Sequence, residues 1–302
     1  MDQILKNTAG SIQVEFRDST YALVDPNPQT PPVAITDGGG TAITSGTGIR
    51  VSQGVYSFAL TPSVTQALDT YTATWTPTIA GLVNTFTTEF EVVGGFYFSI
   101  TEARQYVNTG GDPGLDNAGI TFQQIVDARA LVEERFERES ATSFVPRGAR
   151  TVVDGDPWNP SRIVLRKPDT SSPISRIRKI NQILLNGVAM SAGDIAAMNI
   201  YADEGAIQSV SASFFSFGYR NIQVWFEYGY DQCPLPVKRA ALEYCRYLLL
   251  NNSEDERMIN ATSEMDTSGA INMKGPSRFR PTGLPSVDAV LWRYGDRLAG
   301  FA

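Results

Sequence analysis

Acidic and basic side chains, rather than nucleophiles, make up the groupings in this chain that could do chemistry. There is no histidine among its 302 residues and there are only two cysteines. Ser-His-Asp and Cys-His catalysis are therefore excluded, together with the commonest metal ligand. Carboxylate, lysine or tyrosine chemistry remains. Asp203-Glu204 and Glu254-Asp255-Glu256 place acids side by side. A glycosidase needs two carboxylates facing each other across a cleft, whereas adjacent charges in a polar stretch are ordinarily just solvated. Asp154-Gly155-Asp156 resembles a fragment of a calcium loop but lacks the remaining ligands and the closing glutamate. Asp37 and the three glycines after it have no following Lys-Ser/Thr and no helix, so they read as a turn rather than a phosphate loop. No catalytic residue, metal site or cofactor is expected.

Cys233 and Cys245 cannot build a zinc site by themselves. Cys245 falls on an apolar helical stripe and reads as a buried free thiol. Cys233 precedes that helix, and a bridge between the two would need the chain to fold back. Trp75, Trp158, Trp225 and Trp292 could stack on sugars, but packing is the default role. The most concentrated charge is basic: Arg147, Arg150, Arg162, Arg166, Lys167, Arg176, Arg178 and Lys179, with only Asp154, Asp156 and Asp169 between them. Lys and Arg often blunt strand edges, and strand alternation turns some of them simply toward water. An acidic partner surface is the functional reading.

Those residues need a scaffold. With 42% hydrophobic and 19% charged residues, the chain can bury about two domains' worth of core. Its 26 Gly and 17 Pro predict many turns. A net charge of −7 argues against general nucleic-acid binding. No run reaches membrane-spanning length, and residues 1–6 lack the pattern of a signal peptide. Synthesis in a cytoplasm is expected.

Residues 1–95 predict a β-sandwich. Strands are expected at 11–17, 54–60, 71–75 and 86–93, with turn clusters at 25–28, 31–32, 37–40 and 76–77. Gly54-Val-Tyr, Tyr71-Thr-Ala-Thr-Trp75 and Glu89-Phe-Glu-Val-Val-Gly-Gly95 resemble small immunoglobulin-like modules of bacterial and phage surface proteins. Three basic against eight acidic residues give this segment a net charge of −5, most of the chain's excess.

Gly94-Gly95 reads as a hinge, after which the pattern changes. Ser99-Ile-Thr-Glu102 is a capping box opening a helix over about 100–108. Thr121 with Gln124 opens the longest helix, 121–140, with Phe122, Ile125, Val132 and Phe136 on one side and Glu133, Glu134, Arg135, Glu137, Arg138 and Glu139 on the other. Strands are expected within 149–228, with a hairpin at Asn186-Gly187. Ile222, Val224, Phe226 and Tyr228 alternate with Gln223, Trp225 and Glu227, the period of a half-buried strand. Gly229 ends it. Pro234 and Pro236 lead into a helix over 236–250, with Val237, Ala240, Ala241, Tyr244, Cys245 and Leu248 as one stripe. Residues 251–285 are polar and proline-broken, and a short helix over 286–294 closes the chain.

Taken in order, these pieces over residues 96–302 resemble the head-to-tail adaptor (connector) proteins of long-tailed double-stranded DNA bacteriophages. The capped helix at Ser99, the long helix at Thr121, the strand ending Ile183-Leu-Leu-Asn-Gly187, the run Val224-Trp-Phe-Glu-Tyr-Gly-Tyr230, the helix after Pro236 and Thr282-Gly-Leu-Pro-Ser-Val-Asp-Ala-Val-Leu291 carry the resemblance. It implies a helical adaptor core with β-hairpins over 96–302, which with the immunoglobulin-like β-sandwich expected over 1–95 makes an α+β protein of two domains. It further implies a homo-oligomeric ring, expected to be dodecameric, in the virion neck. The portal protein would lie above and a stopper or tail-completion protein below. Genomic DNA would pass through the lumen without sequence-specific binding. No enzymatic activity, cofactor or membrane contact is implied. The family does not carry the β-module at its front.

Within that reading, Arg162, Arg166, Lys167, Arg176, Arg178 and Lys179 are candidates to face the lumen or a partner. Residues 251–285, with Met273, Arg278, Phe279 and Arg280, are a candidate inter-subunit arm, since a closed ring needs two different faces that fit. Two other classes stay open: a surface or glycan-binding protein that uses the β-module, and a carboxylate hydrolase.

Overall fold

The computed structural model describes residues 2–106, 115, 119–140, 142–156, 158–166, 174, 176–210, 215, 217–250, 264–266, 269–271 and 282–294. The chain is α+β, mostly strand with a few helices. It divides into two compact units. One joins residues 1–95 to 146–228, the other 96–145 to 229–302. The border at Gly95 coincides with the expected hinge, but the strands of 146–228 group with the N-terminal module rather than with the helices. A single cut at 95 follows the composition change and overlooks the chain's return to the same unit at Pro146. The Gly94 N–H donates to Pro146 O at 2.9 Å, so outgoing and returning strands leave from one place.

In the first unit, β1 (Asp2–Leu5), β10 (Phe86–Val93), β7 (Asp69–Trp75), β3 (Pro32–Asp37) and β4 (Ala42–Thr47) form one sheet in that order. β2 (Gly10–Glu15), β6 (Val55–Leu60) and β5 (Ile49–Ser52) form a second. β1 runs parallel to β10; the other pairs are antiparallel. Alternation decides the faces. Tyr71, Ala73 and Trp75 of β7 are buried while Thr70, Thr72 and Thr74 are half-buried on the opposite face. Ile12, Val14, Phe16, Tyr56, Val33, Ile35, Trp75 and Phe90 share one core. Phe16 sits at its centre, 5.3 Å from the Tyr56 ring and 6.2 Å from Trp75. Each such side chain, fully buried, contributes about 1.5–3 kcal/mol. β3 begins inside an expected turn cluster, at Pro32, because a proline is tolerated as the first residue of a strand.

The same unit holds a second pair of sheets. β11 (Arg147–Gly155), β17 (Gly218–Tyr228), β13 (Ile177–Leu185) and β14 (Val188–Ala189) form one, and β12 (Arg162–Val164), β16 (Ala206–Gln208) and β15 (Asn199–Tyr201) the other. Asn186 and Gly187 join β13 to β14 with φ of 50° and 79°, the left-handed pair of a tight hairpin turn. Ile222, Val224, Phe226 and Tyr228 point from β17 into a core with Ile163, Ile180, Ile183 and Ile207. β8 (Thr78–Ile79) and β9 (Leu82–Val83) make a small hairpin, and α3 (Ala192–Ala196) follows β14.

The second unit is helical. α1 (Ile100–Gln105) has the reciprocal Ser99–Glu102 box; residue 108, its expected end, lies outside the described residues. Thr121 and Gln124 cap α2 (Phe122–Ser140) the same way, with bonds of 2.8 and 3.2 Å. Ile125, Val132 and Phe136 pack with Val237, Ala240, Ala241 and Cys245 of α4 (Leu235–Leu250) and with Val287 and Leu291 of α5 (Pro285–Tyr294). Two expected stripe residues lie outside this core. Phe122 is 60% exposed in the first turn of α2, and Leu248 is exposed near the end of α4. Glu133 departs the other way. It is fully buried and accepts the Tyr97 N–H at 2.9 Å. Among the described residues of the candidate arm, β18 (Glu264–Asp266) pairs with β19 (Gly269–Ile271).

Candidate functional site

The basic residues that cluster in sequence take several separate places. Arg147 and Arg150 lie on β11 and turn onto acids of the N-terminal module. Arg147 is buried and pairs with Glu91 of β10 at 3.2 Å. Arg150 donates to Asp69 through Nε at 3.0 Å and Nη2 at 2.7 Å, and to Asp37 at 2.9 Å. Its guanidinium also lies over the Trp225 ring, 4.4 Å from the centroid. Desolvation opposes the Arg150 charge, but the two carboxylates outweigh it and raise the pKa above the ordinary arginine value.

The local backbone is shaped for this contact. The Asp37 carboxylate accepts the Gly39 and Thr41 N–H groups at 2.9 and 2.8 Å, which folds the glycine run into a turn. A Cβ on Gly39 would stand 2.2 Å from an Arg150 nitrogen, so the run leaves room for a guanidinium, not a phosphate. Gly148 meets the module even more closely: a Cβ there would lie 1.9 Å from Leu68 O. The Trp225 indole donates to the same Leu68 carbonyl at 3.2 Å. Lys6 and Glu227 add a pair at 3.9 Å. The face of β17 opposite its apolar core is thus the face that meets the module.

Of the six candidate basic residues, Arg162 pairs with Glu204 and lies 5.6 Å from the Tyr201 ring centroid. Arg166, Arg178 and Lys179 are exposed, the last two beside a bulge in β13. Arg176 is half-buried with φ of 60°. Lys167 lies outside the described residues, as do Met273, Arg278, Phe279 and Arg280. Asp203 and Glu204 sit in a 3₁₀ turn, and Glu204 is engaged by Arg162. Glu254, Asp255 and Glu256 lie outside the described residues. Both cysteines are free thiols, and burial pushes each up to about 12. Neither is poised as a nucleophile.

The Arg150 cluster therefore works mechanically: it holds two groups of strands as one body. Sequence reasoning missed it. The available signal was the acidic excess of 1–95 set against the arginines that open the next stretch of strands.

No family model matches this chain, and no curated protein matches it. Among solved structures it is similar to a chain from the neck of an empty gene transfer agent particle, computed with sixfold symmetry. That likeness has 15% identity and a TM-score of 0.43, covering 66% of this chain and 88% of the other. A chain from the virion of a native gene transfer agent particle is similar at 13% identity and a TM-score of 0.41, covering 66% and 89%.

Proposed function

We propose that this chain is a structural protein of a virion neck, a head-to-tail adaptor without enzymatic activity. Its copies form a ring, dodecameric in this reading, beneath the portal. The ring joins the capsid to the tail and lets DNA pass without sequence-specific contacts. A stopper or tail-completion protein docks below. The single observation that carries the reading is the helical unit's order and packing. A boxed α1, a long boxed α2, α4 after Gly229-Tyr230 and the proline loop, and a closing α5 share one core. Gly229 makes the turn into this unit at φ of 101°, where a Cβ would meet Val145 O at 2.3 Å. The strand that precedes it, the glycine and the helix after it are the segment on which the adaptor resemblance rests.

The N-terminal two-sheet module, immunoglobulin-like in this reading, is a fixed part of the subunit rather than a tethered decoration. The Arg150 cluster supports that. Arg166, Arg178 and Lys179 remain exposed, in keeping with a lumen or partner-facing role. Residues 251–285 serve as the arm that reaches a neighbouring subunit.

Mixing the full chain with purified portal rings and measuring the mass of the complex tests this. A ring of this chain on one end of the portal is expected. A monomer that ignores the portal and instead binds glycans through residues 1–95 would establish the surface-binding alternative.

A further inference from the structure

A sheet edge carries unpaired N–H and C=O groups, and proteins usually guard such edges with charge, proline, bulges, short length or cover. Most edges of the first unit carry charge or are short, β2 ending in Glu15 among them. β11 is nine residues long, but it carries Arg147, Arg150 and a bulge and lies against Leu68. β5 has four residues, a bulge, and Arg50 paired to Asp25. β14 has two residues, and β12 and β15 have three each. β4 differs. Its six residues, Ala42-Ile-Thr-Ser-Gly-Thr47, include no charge and no proline. All but Thr44 are exposed, with Ile43 41% exposed. Among the described residues, nothing pairs its outer edge.

The same sheet ends at its other side in β1, whose outer edge is also unpaired among the described residues and whose Leu5 is 36% exposed. One sheet therefore has an open edge on each of two opposite sides. We propose that β4 of one copy takes up β1 of the next, so that the five-stranded sheet continues from subunit to subunit. Only a head-to-tail contact satisfies both edges with one interface, and such a contact closes into a ring when its rotation permits. The uncharged β4 puts no like charge opposite Asp2. This inference rests on the ring reading and names its interface.

Two variants of the full chain test it, each alone and on the portal. Ser45→Lys with Thr47→Lys puts charge on an exposed edge without touching the core. Loss of the ring mass is expected, with an unchanged far-ultraviolet spectrum. Ser45→Cys with Leu5→Cys, treated with a short bismaleimide linker, should give a ladder of covalent multimers, whereas a mixture of the two single variants stops at the dimer and either alone gives no such product. A ring that forms normally in the lysine variant and yields no ladder would overturn strand pairing and leave the ring reading intact. A chain that is monomeric alone and on the portal would overturn both.

Discussion

Arg150 and Asp69, 81 residues apart in the chain, are joined by two hydrogen bonds of 3.0 and 2.7 Å from one guanidinium to one carboxylate oxygen. The Asp69 side chain is 4% exposed and that of Arg150 24%. Removing one partner of a buried pair leaves the other charge uncompensated, at about 3–5 kcal/mol. Arg150→Ala should sit at the low end of that range, because Arg150 retains some solvent. Arg150→Lys should recover only part of the loss, since an ammonium cannot bridge Asp37 and Asp69 as the planar fork does. Urea unfolding of the three proteins checks both statements.

Gly148→Ala should be worse than an ordinary overpacking change of about 1–3 kcal/mol, because its Cβ meets a backbone carbonyl that cannot rotate away. Gly193→Ala is the control. It lies in α3, its nearest neighbour would be 3.8 Å away, and φ is not left-handed, so alanine should be neutral or slightly stabilising. Melting temperatures compare them directly.

Removal of residues 1–95 should leave a remainder that does not behave as a folded domain. Composition alone suggests the opposite, since each half has apolar residues enough for a core. The structure places Gly148, Arg150 and Trp225 against the module, and deletion would bare that face. Aggregation, or loss of the strand signal beyond the deleted share, is expected on purification. A soluble remainder with a cooperative transition of its own would contradict the fused unit.

Asp25 links the N-terminal module's stability to pH. The Arg50 side chain bonded to it, with the Gly54 N–H and the Tyr56 hydroxyl, holds its carboxyl down to about 2. A carboxyl with a lowered folded pKa stabilises the fold at pH values above its unfolded pKa of about 3.9. That contribution declines as pH falls from there through about 2. Asp25→Asn should lower stability at neutral pH and flatten the acid limb of the profile between about pH 4 and 2. Denaturation midpoints across that range provide the measurement.

Glu133→Leu should cost about 1–3 kcal/mol, because the buried Tyr97 N–H loses its acceptor. Glu134→Leu, on the solvated face one residue on, should stay within about 0.5 kcal/mol. The unfolding transition of the full chain reports both.

What was legible in the sequence was local. Period-two alternation located β7, β10 and β17, and reciprocal capping pairs located the starts of α1 and α2. Adjacent charges in α2 did not reveal that Glu133 turns inward, since burial there depends on the Tyr97 backbone, 36 residues earlier. Phe122 belongs by type to the apolar stripe, yet it lies in the first turn, where no neighbour among the described residues covers it. The run of arginines formed one cluster in sequence, but strand direction sent Arg147 and Arg150 to the module and Arg162 to Glu204. Those partners lie at separations no local pattern encodes.

The most direct test of the adaptor role is cryo-electron microscopy of purified virions, with the neck refined under its own symmetry. A ring of this chain between portal and tail is expected, with 1–95 and 146–228 resolved as one body in every subunit. Finding the chain on tail fibres or on the capsid, or finding none in the virion, would contradict it.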